Sequence, residues 1–142
     1  MTEEQFLTWV NDRGLPRDRG MELLRLAATP EEMKAASEAW EPPPPIYNLG
    51  SIVTLTEDDP LGVSPKAHGF LIVGSCPNGD LIAVDGSTDV GSVWFVCHET
   101  MREKPLREVA LRVADNLADL MHKWATGKGP MDYFDAERVK SS

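Results

Sequence analysis

Cysteine is scarce in this chain: Cys76 and Cys97 are the two thiols in 142 residues. Two are too few to frame a small secreted domain, so a reducing cytoplasm is the expected location. Basic side chains are also few, 14 against 23 acidic ones, for a net charge of −9. A field of that sign repels phosphate backbones and argues against direct nucleic-acid binding. No apolar run approaches the roughly 20 residues that cross a bilayer, so no membrane span is expected. The opening stretch MTEEQFLTWV is acidic where a secretion signal is basic. Histidine stands only at 68, 98 and 122. Apart from the adjacent Cys97-His98, no two His or Cys residues lie at ligand spacing, and no metal is expected.

What remains is an ordinary globular balance, 42% hydrophobic and 26% charged, long enough for one domain with its own core. The acidity is uneven. Residues 1–60 hold 12 Asp/Glu against 5 Lys/Arg, whereas residues 61–142 hold 11 against 9. An acidic front half speeds encounter with a basic partner, although acidity also serves plain solubility.

Residues 1–41 read as helical. Phe6, Trp9 and Val10 recur at helical spacing behind a Thr2 cap, and Gly14-Leu15-Pro16 ends that helix. Met21, Leu24 and Ala28 outline a short second helix, weakened by Gly20. Thr29-Pro30-Glu31-Glu32 starts a third, with Met33, Ala36 and Trp40 on its inner stripe. Pro42 to Pro45 forbid continuation and read as a stiff crossing rather than a ligand for a proline-binding domain.

Residues 46–98 read as sheet. Ile46 to Leu55, with its β-branched Ile52-Val53-Thr54, is the first expected strand. Three more are expected at 69–75, 80–85 and 92–98. Pro77-Asn78-Gly79 makes a tight turn, and Asp85 to Gly91 a longer link. Connections this short require antiparallel neighbours. The strands are apolar on both faces, so one face packs on helices. The other is expected to be covered by the N-terminal segment or the loop around 57–68 rather than by a partner. Leu106, Val109, Ala110, Val113, Leu117, Leu120, Met121 and Trp124 recur every 3.6 residues or so, which predicts one long helix over 105–126, stopped by Gly127. The expected class is α+β: a single domain, 1–142, with one antiparallel sheet packed on N-terminal helices and a long C-terminal helix.

Catalytic patterns are thin. Gly74 and Gly79 have phosphate-loop spacing, but Asp80-Leu81 stand where Lys and Ser/Thr are required. Cys97 and His98, adjacent on a strand, point to opposite faces and do not share a site. Cys76 and Cys97 are expected on strands roughly 9–10 Å apart, beyond the ~7 Å reach of a disulfide, so free thiols are expected. Asp80, Asp85 and His98 are polar groups near strand ends and make the one candidate catalytic set. Trp94 reads as core. Glu57, Asp58 and Asp59 read first as a solvated loop, then, with Asp85 and Asp89, as a docking surface for a basic partner.

From residue 69 to about 124 a pattern emerges. Gly69-Phe70-Leu71-Ile72-Val73-Gly74-Ser75 is followed by Asn78-Gly79-Asp80-Leu81-Ile82-Ala83-Val84-Asp85, then by Gly91-Ser92-Val93-Trp94 and His98-Glu99. This resembles the SUKH superfamily, which includes bacterial immunity proteins and the fungal Smi/Knr cell-wall regulators. The family motif maps onto Gly79, Asp80, Asp85, Gly91, Val93 and His98 as structural positions. The N-terminal half departs from it: Leu15-Pro16 lacks an aromatic partner and no Asn-Gly-Gly loop precedes the sheet. The resemblance implies an α+β domain with no cofactor that acts through protein contact, in bacteria often by neutralising a toxin such as a nuclease. The competing expectations are a small enzyme using Asp80, Asp85 and His98, and a housekeeping scaffold without a toxin partner.

Overall fold

The computed structural model describes residues 2–26, 46–76, 78–127, 129–130 and 132–141. The expected third helix, the proline run and Pro77 lie outside them. The Thr2 hydroxyl accepts the Gln5 N–H at 3.1 Å while the Gln5 side chain accepts the Thr2 N–H at 2.8 Å. This reciprocal cap starts α1 (Glu3–Asp12). In α2 (Arg17–Leu26), Gly20 does more than weaken the helix. A Cβ there would come within 3.1 Å of the Leu7 side chain, so glycine sets how closely the two helices approach.

Residues 49–57 are helical, not extended. Asn48 caps α3 (Leu49–Glu57) by accepting the Ser51 N–H at 2.9 Å. Ile52 and Thr56, one turn apart, are its buried residues. The Thr56 hydroxyl accepts the Ile72 N–H at 3.0 Å, satisfying a donor on the open edge of β1 (Phe70–Ser75). Strand propensity is a weak preference, and here packing overrides it. Of the expected first strand only Ile46 joins the sheet, through a bridge to Gly74.

Strand β1, β2 (Leu81–Asp85), β3 (Val93–Val96) and β4 (Ala110–Ala114) form one antiparallel sheet in chain order. The class is α+β, as expected, but β4 replaces part of the expected long helix. Residues 105–126 instead make a 3-10 turn (Leu106–Val109), β4 and a shorter helix, α4 (Leu117–Ala125). Two features decide this. The free edge of β3 takes up 110–114, pairing Phe95 with Leu111 and Val96 with Ala110. Asn116 then caps a fresh helix by accepting the Asp119 N–H at 2.8 Å, and Glu22 of α2 accepts the Leu117 and Ala118 N–H groups. A last helix, α5 (Tyr133–Ser141), follows.

Both sheet faces are buried within the chain. Leu71, Val73, Ile82, Val84, Val93 and Phe95 pack with Phe6, Val10, Leu23, Ile52, Leu117 and Leu120 on the helical side. Phe70, Ile72, Leu81, Ala83 and Val96 pack with Val63, Met101, Leu106 and Val109 on the other. The loop around 57–68 therefore shares that cover with residues 97–109. Trp94 borders this second core at intermediate exposure. Cys76 lies in the first core and Cys97 in the second, and both are free. Among the described residues no helix is long and apolar enough to cross a membrane.

Candidate functional site

An aspartate stands at each end of β2. At the near end, the Gly79 N–H bonds the Cys76 carbonyl at 2.9 Å and the Cys76 N–H bonds the Asp80 carbonyl at 2.7 Å, closing the hairpin. Gly79 has φ +98, a left-handed value that favours glycine. The Asp80 carboxylate is completely buried. Its Oδ1 accepts the His98 backbone N–H at 3.0 Å and lies 2.5 Å from His98 Nδ1. Its Oδ2 accepts Asn78 Nδ2 and the Tyr133 N–H, both at 2.9 Å. One carboxylate thus joins the β1–β2 turn, the end of β3 and the start of α5. Burial pushes its pKa up, but the bonds from His98, Asn78 and Tyr133 outweigh that and hold it below the ordinary value.

At the far end, Asp85 is also completely buried. Arg107 grips it with Nη2 at 2.8 Å from Oδ1 and Nη1 at 3.0 Å from Oδ2. Backbone N–H groups of Ser87, Thr88 and Asp89 add donors at 2.8, 3.3 and 3.1 Å. Burial raises the Asp85 pKa, yet Arg107 and these donors drive it well below the usual carboxylate range. The same guanidinium donates to the His68 carbonyl from Nε and Nη2, and lies 4.1 Å from the Phe70 ring centre. Gly91, at φ +91, turns the loop into β3, where Val93 is buried.

The structure therefore divides the expected catalytic set. Asp80 and His98 meet, whereas Asp85 lies five residues away, about 17 Å at ~3.4 Å per residue. The expected docking acids are mostly engaged internally. Glu57 Oε1 accepts Trp9 Nε1 at 2.7 Å and lies 3.2 Å from Arg13 Nη1, while its Oε2 accepts Lys66 Nζ at 2.7 Å. Chiefly through Lys66, its pKa is lowered. Asp59 clamps the Val63 and Ser64 N–H groups at 2.8 and 3.0 Å. Asp89 is exposed but paired with Arg112 at 2.7 Å. Asp85, being buried, is no contact residue. Of the five, Asp58 alone is exposed with no side-chain partner among the described residues.

No protein-family model, curated protein or solved structure matches this chain. His98 Nδ1 faces the Asp80 carboxylate and Nε2 has no partner among the described residues, on a side chain that is 33% exposed. No hydroxyl or thiol donates to Nε2 among the described residues. No three His, Cys, Asp or Glu side chains among those residues are arranged to hold a metal. Burial, then the nearby Asp80 and Asp132 charges, push the Cys76 thiol up and away from nucleophilic use. One cleft of about 460 Å³ runs along α3 from Tyr47 to Leu55. Another of about 180 Å³ lies between α1 and β1. Neither is lined by His98.

Arg107 was missed in the sequence because it fell on the polar side of an expected helix. No local pattern pairs it with Asp85, 22 residues earlier.

Proposed function

We propose that this chain is a non-enzymatic protein-binding domain, an immunity-type protein that covers and neutralises a basic toxin. One observation carries the reading: both motif carboxylates of β2 are fully buried and saturated by donors from the same chain. The residues that resemble the SUKH motif thus act as fasteners of the sheet, and the outer surface is left to do the work. Exposed acids stand on the α1–α2 side: Glu3 and Asp12, and also Glu4 and Asp18, which lie 3.2 Å from Arg17 and 4.0 Å from Arg19, with Asp58 beyond α3. Together with the net charge of −9, they favour encounter with a basic surface such as that of a nuclease. Gene context and co-expression test this: a toxin-like domain should be encoded beside the gene, and the two are expressed together. Growth should be restored and the two chains should co-purify; continued killing with no complex would refute it.

A second reading has the Asp80–His98 contact in its favour: a small hydrolytic enzyme with His98 as base. His98→Ala separates the two. Undiminished protection by a folded variant excludes the enzyme, and lost protection with retained toxin binding supports it.

A further inference from the structure

The first N–H groups of a helix find no acceptor inside it, and in α5 the first of them ends on another element. The Tyr133 N–H bonds Asp80 Oδ2 at 2.9 Å. A buried carboxylate at the near end of β2 thus sits at the N-terminus of α5, where negative charge is favoured. Asn78 from the β1–β2 turn bonds the same oxygen at 2.9 Å, and the His98 backbone N–H at the end of β3 bonds Oδ1 at 3.0 Å. The titratable groups around this charge are His98, Cys76, Asp132 and Tyr133, with Cys97 and Glu137 acting on the Tyr133 hydroxyl. Of these only His98 can become a cation. Over its described side chains α5 is packed less than α4. Ala136 is buried, Tyr133 is partly covered by both cores and Phe134 is 46% exposed, whereas α4 buries Leu117, Leu120 and Met121. Elements with few buried apolar groups open before the molecule unfolds as a whole.

We propose that Asp80 is an acid-released latch: when its carboxylate takes a proton, α5 leaves the sheet as a unit while the four strands stay paired. The proton removes the charge that faces His98 and the start of α5. It also turns one oxygen from acceptor into donor, in a pocket that presents N–H donors from Asn78, His98 and Tyr133. In the folded chain Asp80 titrates below the ordinary carboxylate value. Its hold is therefore complete above about pH 4 and is lost as the pH falls through the folded value. Asp85 is driven further down by Arg107 and its backbone donors, so the far end of β2 stays fastened while α5 lets go. The latch is independent of the toxin-binding reading, since it concerns the chain alone.

Hydrogen exchange of the ¹⁵N-labelled full-length protein tests this, followed from about pH 7 to about pH 2 with each rate taken relative to its intrinsic value. The reporters are the α5 amides from Ala136 on, and Ile82 and Phe95, which face each other across β2 and β3. As the pH falls, protection in α5 should drop at least about tenfold more than at Ile82 and Phe95. At neutral pH Asp80→Asn, which keeps the shape but has a single acceptor oxygen, should show the same selective loss. Asp85→Asn should not loosen α5 relative to the sheet. A thermal melt establishes whether Asp80→Asn is folded, and if it is not, the pH series on the parent decides alone. Equal loss in α5 and the sheet at low pH, unchanged α5 protection in folded Asp80→Asn, or selective loss in Asp85→Asn would overturn the proposal.

Discussion

Replacing Arg107 with Met keeps a long apolar stem over Phe70 but removes the guanidinium. Asp85 then loses donors at 2.8 and 3.0 Å, and the His68 carbonyl and Ser87 hydroxyl lose theirs. Breaking a buried ion pair from one side costs about 3–5 kcal/mol. The three backbone donors that stay on Asp85, and the 28% exposure of the Arg107 side chain, place this case at the lower end, about 3 kcal/mol. For a chain of this length that is roughly 10 °C in Tm. Asp85→Asn removes the charge instead, and the double variant should lose less than the two single losses added, with a coupling of about 1–2 kcal/mol. Because the Asp85 pKa is depressed in the folded state, its charge stabilises the fold above the unfolded carboxylate value. That contribution is lost as the pH falls below about 4 toward the folded value. The penalty of Arg107→Met should therefore shrink between about pH 7 and pH 3. Urea unfolding followed by tryptophan fluorescence reads this directly, since Trp94 lies 5.5 Å from the guanidinium. A loss under about 1 kcal/mol, or strictly additive single effects, would refute the argument.

Thr56→Val strips the acceptor from the Ile72 N–H at the β1 edge and should cost about 1–3 kcal/mol, with faster hydrogen exchange at Ile72 as the readout. Gly14→Ala, whose Cβ would collide with the Gly86 carbonyl at φ +97, should unfold or nearly unfold the domain. Gly127→Ala, at φ +70 with nothing within 4 Å, should cost only about 1 kcal/mol of backbone strain, and circular dichroism melts compare the two. Thiol titration of unreduced protein should find two thiols in denaturant and react slowly in the native state, since Cys76 and Cys97 are each 4% exposed; finding none in denaturant contradicts the pairing order of β1, β2 and β3.

What was legible in the sequence was decided locally. The Thr2 cap, the Asn78-Gly79 turn and the Gly127 stop depend on a few neighbouring residues, and each stands where expected. The alternation of Phe70 and Ile72 with Leu71 and Val73 placed them correctly on two buried faces. The two misread elements were decided at a distance. Residues 49–57 hold strand formers, yet their helix is fixed by the Thr56 hydroxyl on β1 and by Glu57 gathering Trp9, Arg13 and Lys66. Residues 110–114 fit a helical stripe because Leu106, Val109 and Ala110 feed one core while Val113 and Leu117 feed the other. Helical and strand periodicity coincide there, and only the free edge of β3 separates them. The Asn116 cap falls inside the expected helix, and it marks the true start of α4. At the site, Asp80 and His98 are 18 residues apart and meet only through the hairpin register. Arg107 reaches Asp85 only because 106–109 folds across the sheet.

The decisive measurement is whether a toxin-like domain is encoded beside this chain and, with that domain purified, the association rate of the two, followed from about 0.05 to 0.5 M salt. Attraction between the acidic surface and a basic partner predicts a complex whose association slows steeply with salt, while dissociation changes far less. Absence of a complex, or an association rate indifferent to salt, would contradict binding through negative potential.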